Sequence, residues 1–461
     1  MKYIGPFLRL NSLDHSNILN QMFYLAKESL NDLTLTSKCG LEISYKELAK
    51  NIPNFDSNTK SSFNPLLCIY KKASAKLLSK HNKLLWNTEK FKKQVEIEGN
   101  AFMTLCLLEL CEYYKDFENV DKNKFKFYKI YLELSKKQLE FYASYLRNGE
   151  GVFVDKIDLS DAIVGDFKFE DKNKAFKFSN QALLMCAYAK CATLLTDSFA
   201  EEYKNFSMDI LKMFLSYRED LYSLSFNELL KLSLCFNLYY KYTHNEDAMS
   251  LILDLSDLLY DAFTDTANIS KDNSLETSCL MFMNCVLINH HIQICKFEDL
   301  ALEILEKLTM LYEDNIGIFV KATEDKTMEF SSSEVILYLS CFITAQKHLE
   351  VEKLDSIISN VYKNQLINSG LILSWPDSPS LDDPERYRNY SLKSDDLLDE
   401  QNFRLPSVPT PKNCEYASIF LKKIEYSRKK DSFKVQSSSF DSSKNMFIYF
   451  IMIMLYKEFK D

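Results

Sequence analysis

The feature that most constrains this chain is the absence of proline between Pro65 and Pro376, a stretch of 310 residues that contains six glycines. A β-rich protein needs far more turn residues over that length. Apolar residues also recur at helical spacing throughout the stretch. The pattern predicts an all-α fold with helices near residues 89–117, 123–147, 179–198, 199–219, 226–242, 245–264, 273–296, 298–321, 332–346, 352–365 and 441–459.

The connections between these helices are short, so neighbouring helices should form antiparallel pairs. Two helix starts carry the capping-box pattern, Ser225 with Glu228 and Ser331 with Glu334. In this pattern each side chain bonds the backbone N–H of the other residue, which satisfies donors that the first turn leaves free. These positions support the predicted starts of two helices.

The two helices of a pair differ in their faces. The segment 180–195 (NQALLMCAYAKCATLL) is apolar nearly all round, as an inner helix would be, whereas 201–220 has a polar face. Five pairs lie between residues 89 and 365, and 441–459 would pair with an N-terminal helix around 14–30. Six hairpins whose ends meet predict a closed (α/α)6 toroid, and an open solenoid is the alternative.

Two regions interrupt the helical pattern. Residues 65–72 (PLLCIYKK) predict a short strand, and 418–440 predicts a β-hairpin around the polar turn 429–432. We expect both to decorate a single domain that spans the whole chain. Its parts are an N-terminal elaboration (1–88), five helical hairpins (89–365), a proline-rich acidic loop (366–411), and a β-hairpin with a closing helix (412–461).

Composition narrows the partners and the compartment. The net charge of −9 argues against nucleic acid or an anionic membrane as the main partner. The twelve cysteines form no C-x-x-C pair and lie mostly in apolar helical stretches, as free thiols do in a reducing compartment. The longest apolar run, 446–456, has 11 residues, about half a membrane span. We therefore expect a soluble cytoplasmic protein.

No cofactor or metal is expected from the motifs. The chain has eight glycines and lacks the G-x-G-x-x-G, G-x-x-x-x-G-K-S/T and G-x-S-x-G patterns, which disfavours nucleotide chemistry. His291 and Cys295 lie four residues apart in CVLINHHIQIC, but no second half-site accompanies them. Zinc needs three or four ligands, so a core histidine beside a buried cysteine is the expectation there.

The alternation within 178–214, which opens with an Asn-bearing, Ala-rich inner helix, resembles the helical hairpins of the six-hairpin glycosidase and N-acylglucosamine 2-epimerase superfamily. The preceding segment 148–161 (NGEGVFVDKIDLSD) is similar to the Gly-aromatic loop before such a hairpin. The resemblance implies a cleft at the N-terminal ends of the inner helices that binds saccharides on aromatic platforms. It also implies acidic or histidine catalysts. This chain has only two tryptophans and six histidines, which departs from that pattern.

The proline-rich acidic loop is the first candidate site. Pro376, Pro379, Pro384, Pro406, Pro409 and Pro411 stiffen it, and a structureless segment of this length is uncommon in a compact domain. Over one mouth of a toroid it would act as a lid. The paired carboxylates would serve as acid and base. The predicted catalytic residues are Asp383 and Glu385, and the predicted substrate-binding residues are Trp375, Asp382, Arg386 and Tyr387. The alternative is a solvated loop whose arginines pair locally.

A second cluster comprises Asp155, Asp158, Asp161 and Asp166. The spacing of three would place the first three on one helical face, and the sequence lacks the pattern of a calcium loop. By the resemblance, a loop here faces the cleft, so Asp158 is a catalytic candidate and Asp155 and Asp161 are candidates for substrate binding. Otherwise these residues cap a helix or meet solvent.

Three classes of function follow. The first is a carbohydrate-processing protein of the six-hairpin toroid type, with glycoside hydrolase or epimerase-like activity from cleft carboxylates and a saccharide as ligand. The second is a non-catalytic helical scaffold that binds a peptide or protein. The third is a terpenoid-cyclase-like toroid, although LDDPE (381–385) does not match the acidic pattern of that family.

Overall fold

The computed structural model describes residues 15–50, 52, 63–80, 83–160, 167–173, 175–266, 275–321, 325–349, 351, 353–377 and 410–460. The α-helices in these residues are α1 His15–Leu35, α2 Tyr45–Lys50, α3 Ile97–Lys115, α4 Lys122–Tyr145, α5 Phe178–Leu194, α6 Ser198–Ser216, α7 Arg218–Leu221, α8 Phe226–Thr243, α9 Glu246–Thr266, α10 Leu275–Ile292, α11 Cys295–Thr309, α12 Ser332–His348, α13 Asp355–Asn360 and α14 Ser442–Lys460. A short 3₁₀ turn spans Thr88–Lys90, and α13 continues as a π-helical segment over Val361–Ile367.

Six helices form a closed inner ring. Helix α3 packs against α5, and the contacts continue through α8, α10 and α12 to α14, which packs back against α3. Each inner helix has an outer partner: α4, α6, α9, α11, α13 with its π-helical extension, and α1, in that order. The predicted all-α (α/α)6 toroid is confirmed, and the pairing of the C-terminal helix with the N-terminal helix closes it.

Burial explains which helices lie inside. Every residue of α5 from Ser179 to Cys191 is buried, and α10 and α12 are buried on nearly all sides. The outer helices α6 and α11 bury only one face. A helix that is apolar all round must be covered on every side, whereas an amphipathic helix leaves its polar face to solvent.

The ring closes where α3 and α14 approach most tightly. A Cβ atom on Gly99 would lie 3.0 Å from the Ser443 hydroxyl oxygen and 3.1 Å from the Ser443 backbone nitrogen. Farther along the seam, the Phe102 ring packs against Phe447 and Phe450, with ring centroids 5.3 and 5.4 Å away. The glycine thus permits α3 and α14 to approach closely at their starts, and the aromatic side chains continue this packing along the two helices.

Small sheets connect the helices at the periphery. The strands are β1 Gly40–Glu42, β2 Leu66–Ile69, β3 Lys72–Ser74, β4 Leu78–Lys80, β5 Lys83–Leu85, β6 Gln94–Val95, β7 Lys156–Asp158, β8 Phe169–Asp171, β9 Tyr312–Glu313, β10 Ile318–Phe319, β11 Thr327–Ser331, β12 Lys423–Ser427, β13 Ser432–Val435 and β14 Ser439–Asp441. The pairings are all antiparallel: β1 with β2, β3 with β14, β4 with β5, β9 with β10, and the triplets β6–β7–β8 and β11–β12–β13. The predicted late hairpin is β12–β13, and the predicted strand near 65–72 is β2.

Some predicted boundaries were wrong. The helix expected from residue 89 begins at Ile97, because the preceding residues form the 3₁₀ turn and β6. The helix expected to reach residue 321 ends at Thr309, and β9 and β10 follow it around Gly317, which has a φ of 65°. Glycine adopts this left-handed conformation without a steric penalty, so the chain turns there.

One of the two capping boxes is complete. The Ser331 hydroxyl accepts from the Glu334 N–H, and the Glu334 carboxylate accepts from the Ser331 N–H at 2.7 Å. At Ser225 only half of the box forms, because the Glu228 carboxylate accepts from the Ser179 N–H at 2.9 Å instead. Glu228 therefore links the starts of α5 and α8.

Within the described residues, no helix combines the length and the apolar character needed to cross a membrane.

Candidate functional site

The N-terminal ends of the inner helices meet around a cavity of about 200 Å³. All six inner helices contribute side chains from their first two or three turns, and the residue that precedes α14 contributes as well. The lining residues are Glu98 and Phe102 of α3, Leu183 of α5, Lys231, Leu234 and Cys235 of α8, Glu276 and Leu280 of α10, Ser333 of α12, and Asp441, Ser443, Lys444 and Phe447 at α14. This is the end of the ring at which the resemblance places a cleft.

Three inner helices hold an extended segment beside this mouth by the same device. The fourth residue of each helix is Asn or Gln, and its side-chain amide bonds both the N–H and the C=O of one backbone residue at 2.8–3.2 Å. The pairs are Asn100 with Ile69, Gln181 with Phe153, and Asn445 with Phe420. An amide offers one acceptor and two donors, which suits it to satisfy both backbone groups of one residue.

An ion pair spans the cavity between α8 and α3. The Lys231 ammonium lies 2.5 Å from a Glu98 carboxylate oxygen, and their side chains keep 39% and 24% exposure. Burial lowers the pKa of Lys231, but the carboxylates of Glu98, Glu228 and Glu276 outweigh it and raise that pKa above its ordinary value. Lys231 therefore stays charged and stands among three carboxylates from three helices.

A second carboxylate faces the cavity from α10. Glu276 accepts a hydrogen bond from the hydroxyl of the buried Ser333 on α12, at 2.9 Å. Within the described residues Glu276 makes no ion pair at salt-bridge distance. The two cavity glutamates thus have different partners: an ammonium for Glu98 and a hydroxyl for Glu276.

The start of α14 supplies the remaining charges. The Asp441 carboxylate accepts from the Lys444 N–H at 3.3 Å, which caps this helix. The Ser443 hydroxyl donates to Glu96 at 3.2 Å, and Glu96 also contacts Lys71 and Lys172. Burial raises the pKa of Glu96, yet Lys71 and Lys172 outweigh this effect and lower the pKa below its ordinary value. An ionic network beside the cavity therefore joins the start of α14 to the start of α3.

The floor of the cavity is apolar. Phe102, Leu183, Leu234, Leu280 and Phe447 provide it. Cys235 also reaches the cavity, but burial raises the pKa of its thiol well above the ordinary value. A thiol held in its neutral form is a poor nucleophile. Charged groups around the mouth and apolar groups below it suit a ligand that carries hydroxyls on one side and C–H groups on the other.

The predicted aspartates of the second cluster lie elsewhere. The buried Asp158 accepts from the Tyr70 hydroxyl and, at 2.8 Å, from the Ser160 N–H. Asp155 accepts from the Ile97 N–H at 3.0 Å, where it satisfies a free donor at the start of α3. Neither lines the cavity. Burial raises the pKa of Asp155. Their catalytic and binding roles stay predictions, and Asp161 lies outside the described residues.

Only the root of the proline-rich loop is described. Trp375 is buried, and its backbone N–H donates to the C=O of Pro411 at 2.9 Å, which holds the two ends of the loop together. The remaining predicted residues of this loop, Asp382, Asp383, Glu385, Arg386 and Tyr387, lie outside the described residues. Their roles and the lid remain predictions.

The described part of the chain contains no group of three or more His, Cys, Asp or Glu side chains arranged to hold a metal ion. His291 packs against the Tyr240 ring with centroids 5.1 Å apart, and Cys295 is exposed at the start of α11.

Sequence reasoning missed Glu98, Lys231 and Glu276. Each is a charged residue near the start of a helix that is otherwise apolar on nearly every side. A charge on an inner helix must reach solvent or a partner. That placement is the signal that could have indicated the mouth of the ring.

No protein-family model matches the chain, and neither does any curated protein. Similar solved structures include a sugar epimerase from a ruminal bacterium, with 14% identity, a TM-score of 0.45, and coverage of 74% of this chain and 86% of that one. A GH76 α-mannanase of Bacteroides thetaiotaomicron has 9% identity, a TM-score of 0.47, and coverage of 95% and 96%. The cellobiose 2-epimerase of Bacillus thermoamylovorans has 11% identity, a TM-score of 0.44, and coverage of 77% and 89%.

Proposed function

We propose that the protein processes a carbohydrate in the cavity at the N-terminal ends of its inner helices. The observation that carries the proposal is the convergence of two glutamates with different partners, Glu98 and Glu276, on one cavity with an apolar floor. Two carboxyl groups in different environments can divide the roles of acid and base in glycosidic chemistry.

The partners of the two glutamates assign their roles. Glu98, which is ion-paired with Lys231, takes the role of base or nucleophile. Glu276, which has no ion-pair partner at salt-bridge distance among the described residues, takes the role of the acid. The rings of Phe102 and Phe447 offer an apolar surface to the C–H face of a sugar. The reaction is a glycoside hydrolysis or an epimerase-like conversion.

The charged lining disfavours the cyclase alternative. Five of the lining side chains, Glu98, Lys231, Glu276, Asp441 and Lys444, are charged, whereas a terpenoid cavity would be aromatic and dry. Asp383 and Glu385, which lie outside the described residues, and Asp158, which lies away from this cavity, remain proposed as further catalytic residues.

The test is a saccharide panel followed by substitution. We expect the protein to bind at least one mono- or oligosaccharide in calorimetry and to convert it, as followed by NMR of the anomeric protons. Glu276→Gln should keep binding within a few fold and lower kcat by about 10²–10⁴-fold, because the acid is lost and the shape is kept.

The matched control is Glu303→Gln on the outer helix α11, whose side chain is exposed. Its kinetics should equal those of the wild type. Failure of the whole panel to bind, or a Glu276→Gln variant with unchanged turnover, would contradict the proposal. Binding of a peptide in place of any sugar would favour the scaffold.

A further inference from the structure

A projecting hairpin carries the largest group of neighbouring exposed leucines in the described residues. Strands β4 and β5 pair antiparallel, and all of their residues are exposed. Leu78, Leu84 and Leu85 keep 37%, 47% and 46% exposure. Single exposed apolar residues need no explanation, but neighbouring ones on one small hairpin point to a partner.

The register places lysines beside these leucines. Leu78 pairs with Leu85, and Lys80 pairs with Lys83, two residues farther along each strand. Side chains two residues apart share a face, so one face carries these two leucines and two lysines. Leu84 pairs with Ser79 and lies on the opposite face. Like charges directly opposite each other destabilise a strand pair. An anionic partner would remove that repulsion.

The charge of the surrounding segment has the same sign. Residues 71–93 contain eight lysines and a single acidic residue, Glu89, in a chain whose net charge is −9. Lys71 and Lys76 have acidic partners, Glu96 and Glu415. Five exposed lysines have no ion pair within the described residues: Lys80, Lys83, Lys90, Lys92 and Lys93.

The hairpin is firmly rooted at the end of the ring that holds the cavity. Trp86, directly after β5, is buried and packs edge-on against Phe440 at 5.8 Å between ring centroids. Its indole N–H donates to an Asp32 carboxylate oxygen at 3.4 Å. Strand β3, just before the hairpin, pairs with β14, which ends at the cavity residue Asp441. The leucines and lysines are therefore presented by a fixed scaffold.

We propose that the β4–β5 hairpin is a docking surface for an anionic lipid bilayer, independent of the proposed function. The leucines enter the boundary between headgroups and acyl chains, and the lysines contact the lipid phosphates and carboxylates. Such peripheral contact needs no spanning helix. The expectation of no membrane partner rests on the net charge of the whole chain. That net charge combines the basic segment 71–93 with the acidic rest of the sequence.

Other occupants fit the hairpin less well. A nucleic acid would be met by the lysines, but three leucines give it no hydrogen bonds and no stacking surface. A second copy of the chain would bring Lys80 and Lys83 against identical charges. A bilayer with acidic headgroups satisfies both halves of the surface, since it has an anionic layer above an apolar one.

The test is co-sedimentation with vesicles of phosphatidylcholine that contain about 30% phosphatidylserine, compared with pure phosphatidylcholine. We expect binding to the anionic vesicles and a large loss at high salt. The double variant Lys80→Gln with Lys83→Gln should lower the partition coefficient about 30-fold, at about fivefold per lysine. Leu78→Ser with Leu85→Ser, which removes the two leucines on the same face as these lysines, should lower it at least about tenfold.

The control replaces two exposed lysines of the outer helix α6, Lys204→Gln with Lys212→Gln, and should leave the partition unchanged. Circular dichroism melts establish that the hairpin variants fold. Equal or absent binding to both kinds of vesicle would overturn the proposal, as would loss of binding in the α6 control. Two other results would also overturn the proposal. One is DNA binding that the leucine substitutions leave unchanged. The other is self-association, without vesicle binding, that the leucine substitutions abolish.

Discussion

Replacing Glu109 by glutamine should destabilise the ring, because this residue is the centre of a buried ionic network at the end opposite the cavity. Glu109 lies on α3 and is fully buried. The Tyr242 hydroxyl of α8 donates to one carboxylate oxygen at 2.6 Å, and the Lys190 ammonium of α5 lies 3.6 Å from the same oxygen. Lys457 of α14 contacts the other oxygen. One carboxylate thus links four of the six inner helices.

The magnitude follows from the charges that would remain. Glutamine keeps the shape of Glu109 and an acceptor for Tyr242. Among the described residues, however, it leaves Lys190 and Lys457 with only Glu112 as an acidic partner. Removing one partner of a buried ion pair costs about 3–5 kcal/mol, since the other charge stays buried without compensation. The Lys457 side chain keeps 20% exposure. We therefore expect a loss near the lower end, about 3 kcal/mol.

Urea denaturation measures this loss as the shift of the midpoint multiplied by the m-value. The control is Glu303→Gln, which removes an exposed i,i+4 pair with Lys307 of 2.7 Å on α11. That change should cost no more than about 0.5 kcal/mol. A Glu109→Gln variant that differs from this control by less than about 1 kcal/mol would refute the role given to the network.

The same network sets the sign of a pH dependence. Burial raises the pKa of Glu109, but Lys190 and Lys457 outweigh it and lower that pKa below its ordinary value. A group whose pKa is lowered by folding stabilises the protein above the unfolded-state pKa, about 4.3, and loses this contribution as the pH falls through the folded-state pKa. The difference in unfolding free energy between wild type and Glu109→Gln should therefore narrow below about pH 4.

Two further predictions concern packing. Gly99→Val should prevent the close approach of α3 and α14, because even a Cβ atom at this position would lie 3.0 Å from a neighbouring hydroxyl oxygen. It should therefore lower the melting temperature well beyond the effect of Gly99→Ala. Equal melting temperatures of the two variants would contradict the tight packing of these helices. In the native protein a thiol reagent should quickly label only Cys295 and Cys414, because the other ten cysteines are buried. In denaturant it should label all twelve. More than two rapidly labelled thiols in the native state would contradict that burial.

The inner helices could be predicted because each one is a contiguous segment of mostly apolar residues, and such a segment must be buried. Residues 180–195 are apolar on nearly every side, and α5 is buried on every side from Ser179 to Cys191. The strands β9 and β10 could not be read in the same way. Helical spacing in 298–321 continues past Thr309, whereas the true end depends on an antiparallel pair of two-residue strands held by the turn at Gly317. The periodicity of apolar residues shows which side chains are apolar. It does not show which backbone N–H and C=O groups form hydrogen bonds across a turn.

The cavity residues could not be found by the reasoning that selected the acidic clusters. That reasoning favoured carboxylates close together in sequence, such as Asp155 and Asp158, which the structure uses to cap α3 and to bind the Tyr70 hydroxyl. Glu98 and Glu276 stand more than 170 residues apart and meet only because the ring closes. In a toroid each inner helix brings its first turn to the same mouth. A site there is assembled from one or two charged residues of each inner helix. In the sequence, such a site is indicated by a charged residue in the first turns of an otherwise apolar helix.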